Sequence, residues 1–309
     1  MKSFLGIDTS NYTTSCAVYC DDNSVIQQKK LLPVREGELG LRQSEAVFHH
    51  TVQLPELMTK LFDGFSGKVS AVGVSDAPRR QEGSYMPCFL AGVSAAQSVS
   101  SAMGIPLYRF SHQQGHIGAA VYSTGRFDLF EREFIAFHVS GGTTDVLLVR
   151  PDSDDIINIS TLASSLDLKA GQAVDRVGVM LGYPFPAGRF VDELASQSSK
   201  HYKINVKLKD GSCCLSGVEN KCRDMFLKGE PKEDICRYCM DYIISALEKM
   251  AVFQLEKFGD IPLLFAGGVM SSKVISSYFK SKFGALFAQS EFSCDNAAGI
   301  ALLASMKGR

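Results

Sequence analysis

The stretch FSHQQGHIGAA, residues 110 to 120, holds two of the six histidines, His112 and His116, four positions apart. Four residues is just over one helical turn, so on a helix both imidazoles project from one face. Two nitrogens so placed can serve one ion, because metal–nitrogen bonds are about 2 Å long. The spacing is not that of the H-E-x-x-H zinc proteases, whose glutamate base is missing. Packing of both rings on a buried helix face is the competing account, and a third ligand would decide between them. Cysteine is the other candidate ligand type. Cys236 and Cys239 form a C-x-x-C, with Cys213, Cys214 and Cys222 nearby. Since DICRYCMDYIISALEKMAVFQLEKF reads as one amphipathic helix, the pair is expected to pack, with a zinc knuckle as the alternative.

The elements around these residues must be built from 309 residues, long for one core and predictive of two lobes. Hydrophobic residues make up 45% and charged residues 21%, as in ordinary globular proteins. A net charge of −1 supplies no global field towards nucleic acid, so any RNA contact needs a local basic patch or a partner. KHYKINVKLK, residues 200 to 209, is the best such patch, and an exposed alternating strand explains it equally well. The apolar run of MKSFLGIDTS breaks at Asp8, too soon for a signal peptide, and no window approaches 18 apolar residues. Nine cysteines, an odd number without regular spacing, read as reduced thiols, and the expected location is cytoplasmic.

An internal repeat points to the architecture. FLGIDTSNYTTSCAV (4 to 18) and FIAFHVSGGTTDVLL (134 to 148) align at a constant offset, pairing Phe4 with Phe134, Ser10 with Ser140, and Thr13-Thr14 with Thr143-Thr144. Each is an apolar strand, a turn of small and hydroxylated residues, and a second apolar strand, which is a β-hairpin signal. Third strands are expected at 24 to 32 and 155 to 163, and later single strands at VSAVGVSD and IPLLFAGGV. Two halves mixing a hairpin-led sheet with helices imply a duplicated α/β architecture. Its turns of Ser, Thr and Gly offer backbone N–H groups and hydroxyls suited to phosphate oxygens. Ser10, Thr13, Gly267 and Gly268 are the phosphate-turn candidates.

This arrangement resembles the actin, hexokinase and Hsp70 superfamily, in which two related α/β lobes clasp a nucleotide in an interlobe cleft. More specifically, the ordered motifs LGIDTS, HQQGHIGAA, VSGGTTDVLLV, LDLKAGQAVDRVGVMLGYPFPAGRFVDELA, LSGV, AGGV and CDNAAGIALLA resemble the tRNA threonylcarbamoyladenosine synthase family, formerly labelled glycoprotease. They run almost the whole chain. The resemblance implies an N-terminal lobe over 1–111 and a C-terminal lobe over 112–309, beginning at the hinge helix that carries H-x-x-x-H. It also implies a third ligand: His112, His116 and Asp295 would bind one divalent metal, iron or zinc. Asp295 could instead cap the helix starting at NAAGIALLA. Val139, Ser140, Gly141, Gly142 and Thr143 would lie against an adenine nucleotide or acyl-adenylate, Asp175 would reach its ribose, and Gly188, Asp192 and Ser272 would line the same face. DELA at 192 to 195 is also a helix-start signal.

The implied reaction moves a threonylcarbamoyl group from its anhydride with AMP to an acceptor amine, which in the family is N6 of a tRNA adenosine. AMP is the leaving group and the acceptor attacks, so no covalent nucleophile is demanded; positioning and charge stabilisation carry catalysis. A protease is not expected. Several positions depart from the family pattern. APRRQEGSYMP replaces a GPGL loop, Thr143 a histidine, Ser272 an asparagine and Glu219 a lysine, while Asn11, Tyr12 and Thr13 stand where an acidic residue is usual. A divergent paralogue is therefore expected. Its alternative role is non-catalytic: a nucleotide- and metal-binding regulator or scaffold in a heteromeric tRNA-modification complex. Retention of His112, His116 and Asp295 favours the enzyme.

Overall fold

The computed structural model describes residues 2–10, 12–33 and 41–308; Asn11, among the departures above, lies outside them. Among the described residues no helix is long and apolar enough to cross a membrane. The chain forms two compact units, one of residues 1–131, 151–159 and 291–309, the other of residues 132–150 and 160–290. The expected boundary after residue 111 falls inside the first unit.

The first unit is built on a five-stranded sheet. Strands β1 (Lys2–Ser10) and β2 (Thr13–Cys20) form the first expected hairpin, with Asp8 opposite Ser15 and Ser10 opposite Thr13. Strand β3 (Val25–Leu31) continues antiparallel beside β2, while β4 (Lys68–Ala77) and β5 (Leu107–Ser111) add in parallel on the other side. The order is β3-β2-β1-β4-β5. Both β1 and β2 are buried almost throughout, as strands covered on both faces must be. Helices α1 (Gln43–Phe62) and α2 (Phe89–Met103) pack on this sheet, as do α3 (His112–Thr124) and the late α9 (Ala298–Lys307).

Side-chain alternation along β1 sorts these helices by face. Ile7 and Thr9 meet Gly92 of α2, whereas Gly6 meets α9: a Cβ on Gly6 would stand 2.5 Å from the Ala297 carbonyl oxygen. Gly73 of β4, paired with Gly6, is likewise pressed by Ile300. Two adjacent strand glycines thus let the α9 backbone lie directly on the sheet. Helix α9 in turn crosses α3 at Gly299, whose hypothetical Cβ would be 1.9 Å from the Gly115 carbonyl oxygen.

The second unit repeats the plan. Strands β6 (Phe134–Val139) and β7 (Thr144–Asp152) form the second hairpin, followed by β8 (Ile156–Ser164), β9 (Leu263–Ala266) and β10 (Leu286–Phe287), the end of β7 and the start of β8 falling in the 151–159 segment of the first unit. Their order, β10-β9-β6-β7-β8, matches the first sheet strand for strand, with β6–β7 antiparallel and β6–β9 and β9–β10 parallel. Its helices are α4 (Ala170–Met180), α5 (Gly188–Gln197), α6 (Ser216–Leu227), α7 (Lys232–Phe258) and α8 (Lys273–Phe283). Helix α5 opens at Gly188, four residues before the expected DELA start, so Asp192 lies within it. Helix α7 is the single helix expected, and Cys222, Cys236 and Cys239 pack in the core, burial pushing the Cys236 thiol up to about 12.

Candidate functional site

The histidines open α3. Ser111 caps the helix, accepting from the Gln114 N–H while the Gln114 side chain accepts from the Ser111 N–H, and this sets the first turn. With its backbone secured, α3 presents His112 and His116 on one face, ring centroids 4.3 Å apart. Asp295 comes from the segment before α9. His116 Nε2 is 3.2 Å and His112 Nε2 3.6 Å from Asp295 Oδ1. One ligand atom from each of the three residues can be chosen so that all lie within 4.8 Å of one another, and among the described residues this is the one such cluster of His, Cys, Asp or Glu.

The capping alternative for Asp295 resolves in the neighbouring residue. Asn296 Oδ1 accepts from the Ala298 N–H at 3.0 Å, so Asn296 serves the start of α9 and the Asp295 carboxylate faces the histidines. Thr13, expected to meet phosphate, instead donates to Asp295 Oδ2 at 3.2 Å, turning Oδ1 towards the rings. Ser10, the other candidate in that turn, is buried, its N–H donating to Asp8 Oδ1 and its hydroxyl without a partner among the described residues, so it presents no surface to a phosphate.

Asp8 is a candidate site residue that sequence reasoning missed. It lies on the same face of β1 as Gly6, is wholly buried, and its Oδ2 is 2.8 Å from His112 Nδ1. A carboxylate on Nδ1 fixes the tautomer that leaves Nε2 as the ligand atom, the usual support of a metal-bound histidine. Its signal in the sequence was the one acid that interrupts an apolar strand, since a buried carboxylate has to be paired.

Electrostatics tests whether these residues suit a cation. Burial favours neutral His112, yet the Asp8 carboxylate and then Asp295 outweigh it and raise its pKa to about 10. Burial likewise opposes charge on Asp295, but hydrogen bonds from His112 and His116 hold its carboxyl well below 3.8. Asp8 is lowered too, burial being outweighed by His112. A wholly buried carboxylate, Asp8, and a partly buried one, Asp295, therefore recruit positive charge to this point. The donor separations of 3.2 and 3.6 Å also bracket the roughly 3.3 Å between ligands on tetrahedral bonds of about 2 Å. The residues fit a divalent metal on both counts.

The second unit contributes a hollow of about 730 Å³, a size that suits a small-molecule ligand. Gly141, Asp175, Gly188, Asp192, Gly268 and Ser272, all expected at a nucleotide, line it. So do Arg189 and Lys273, which sequence reasoning did not single out. Several of these polar groups already have protein partners. Asp175 accepts from the Ala187 N–H at 2.8 Å. Asp192 accepts from the Ser272 hydroxyl and the Lys273 N–H, and Ser272 caps α8, so both secure that helix start.

The remaining expected residues do not line the hollow. Ser140 Oγ accepts from the N–H groups of Gly142 and Thr143 and closes the β6–β7 turn. Val139 is buried in the core, its side chain unable to meet a ligand. Gly267 is required by packing: at φ +104° a Cβ there would be 2.2 Å from the Val139 carbonyl oxygen. Of the arginine pair in the replaced loop, Arg80 is held by Asp76 at 2.7 Å and Asp155 at 3.7 Å. Glu219, at a position where the resemblance leads one to expect lysine, pairs with Arg176 and Arg223.

Comparison with known proteins places this geometry. Among solved structures, component A of (R)-2-hydroxyglutaryl-CoA dehydratase from Acidaminococcus fermentans matches with a TM-score of 0.58 and 16% identity, covering 100% of this chain and 99% of that one. Full-length HypF in its phosphate- and nucleotide-bound form matches at 0.61 and 13%, covering 99% of this chain and 55% of that one. These likenesses show the fold, the duplicated α/β plan of the actin- and hexokinase-like proteins. Curated relatives named tRNA N6-adenosine threonylcarbamoyltransferase include those of Bacillus licheniformis, 26% identical over 96% of this chain and 89% of the relative, and Campylobacter fetus, 29% identical over 96% and 90%. The family model described as tRNA N6-adenosine threonylcarbamoyltransferase matches residues 23–302, and the chain belongs to that family.

Proposed function

We propose that this protein transfers a threonylcarbamoyl group from its adenylate to N6 of a tRNA adenosine, using a divalent metal, zinc or iron, held by His112, His116 and Asp295. The observation that carries the reading is the convergence of those three ligand atoms, with Asp8 behind His112, in a member of this family. The metal, when bound, would act as a Lewis acid on the oxygens of the acyl group. Asp8 and Thr13 hold His112 and Asp295 in their ligating orientations. In the transfer the N6 nitrogen bonds to the carbamoyl carbon, the carbon–oxygen bond to phosphate breaks, and AMP leaves with the electron pair. The proton released from N6 passes to solvent. No side chain is asked to form a covalent bond.

Calorimetric titration of threonylcarbamoyl-adenylate into metal-loaded and metal-stripped protein, with AMP as control, tests the reading. Tight adenylate binding that needs the metal, alongside AMP binding that does not, supports it. Equal affinities indifferent to metal, together with no transfer to tRNA, overturn it.

A further inference from the structure

Residues 200 to 209 form neither helix nor sheet strand, yet their path is set closely by α7. The Tyr202 N–H donates to Asp241, the Ile204 carbonyl accepts from Ser245, and the Val206 carbonyl accepts from Lys249. Three partners one helical turn apart thus meet three residues two apart. Four helical residues rise about 6 Å, so this segment advances about 6 Å per two residues, as extended chain does. Alternation follows from that geometry. Tyr202, Ile204, Val206 and Leu208 turn inward, and Lys203, Asn205, Lys207 and Lys209 are exposed.

The outward face is therefore a straight row of lysines at a regular stride. Among the described residues none of the three forms an ion pair, whereas Lys200, at the start of the segment, is paired with Asp234 at 2.7 Å. At the one step without a lysine, the Asn205 side-chain oxygen accepts from the Lys249 ammonium, which brings a cation to that position too. The row ends at the Asp210–Gly211 turn, where both residues have positive φ. It lies in the unit with positive charge: 19 Lys and Arg against 16 Asp and Glu, net +3, compared with 13 against 17, net −4, in the other.

We infer that Lys203, Lys207 and Lys209 form a rail that follows the phosphate backbone of an RNA strand. A row of cations in register with extended chain suits successive backbone phosphates, and it carries no base-reading group, so its contribution is sequence-independent. This inference rests on the tRNA reading above and names the surface that would hold the acceptor.

The test is fluorescence anisotropy of a labelled tRNA anticodon stem-loop at several salt concentrations. It compares the wild type, the triple Lys→Ala variant at 203, 207 and 209, and the triple Lys→Arg variant. Each phosphate contact contributes about 0.7 to the slope of log affinity against log salt for single strands. The alanine variant is expected to lose about 2 from that slope and at least tenfold in affinity near 0.1 M salt, with its melting temperature unchanged. The arginine variant should keep the slope. If wild type binds and the alanine variant keeps its slope, the rail is overturned while the tRNA reading stands. Absence of stem-loop binding by wild type overturns both.

Discussion

Replacing Asp8 with asparagine should weaken metal binding by a route that can be traced atom by atom. Asp8 Oδ1 accepts from the Ser10 N–H at 2.9 Å, and Oδ2 is 2.8 Å from His112 Nδ1. A carboxylate serves both donors, but an amide has one oxygen and one NH2 group. If the NH2 faces Ser10, two donors meet in a wholly buried position. If it faces His112, Nδ1 must accept, the ring proton moves to Nε2, and the ligating lone pair is lost. Loss of such a supporting carboxylate lowers metal affinity about 10- to 100-fold, or about 1.4 to 2.7 kcal/mol. The same change should bring the His112 pKa down from about 10 towards 6.5 in metal-free protein. Competition with a chromophoric chelator for zinc reads the affinity, and NMR titration of the imidazole reads the pKa. Zinc affinity within twofold of wild type, in a variant whose His112 pKa has fallen, would refute this account of Asp8.

Other consequences follow from the same geometry. Metal-free protein should be most stable near pH 6.5. Below that value the unfolded chain protonates His50, while burial, only partly offset by Asp8, holds the native group at about 4, so about 3 kcal/mol is lost as pH falls to 4. Above 6.5 the native state still holds the His112 proton up to about 10, so stability on the order of 4 kcal/mol is lost as pH rises through that window. Urea unfolding from pH 4.5 to 9.5 should trace this peak, and bound zinc, which competes with that proton, should flatten the alkaline side. A metal-free plateau from pH 6.5 to 9 would contradict it. Gly299→Ala should force α9 from α3, lowering stability by about 3 kcal/mol and weakening zinc binding, because His116 and Asp295 belong to the two sides of that crossing. Calorimetric melting and the chelator assay would show both. Asn296→Ala should cost about 1 kcal/mol of stability while zinc affinity survives, and Asp295→Asn should abolish binding; equal effects on zinc would return Asp295 to a capping role.

The parts legible in the sequence were those encoded locally. The two hairpins announced themselves by alternation around small-residue turns, and α3 by the four-residue spacing of its histidines. Element type was readable wherever periodicity was strong, as in α7. Partnerships across long separations were not. Nothing near Thr13 reveals that its hydroxyl meets Asp295, 282 residues away, and a Ser-Thr turn looks alike whether it holds phosphate or a carboxylate. Asp295 and Asn296 are equally good capping types, and their division of labour depends on which one α9 turns towards its own N–H groups. Asp192 resembled a helix start because acids favour first turns; α5 begins earlier, and the carboxylate instead serves the start of α8.

The first unit is threaded from distant parts of the chain, and this constrains its order of assembly. Asp8 and Asp295 are far apart along the chain, and α9 rests on two glycines of the central strands. As the chain emerges from the ribosome, the segments of the second unit are all made by residue 290, whereas the first sheet still awaits its covering helix. Until Asp295 is made the third ligand is missing, and until residues 298 to 307 exist the glycine floor of β1 and β4 is bare. Metal capture is thus coupled to synthesis through α9. Ribosome-stalled chains ending before Asp295 should retain no zinc, and those extended through α9 should gain it.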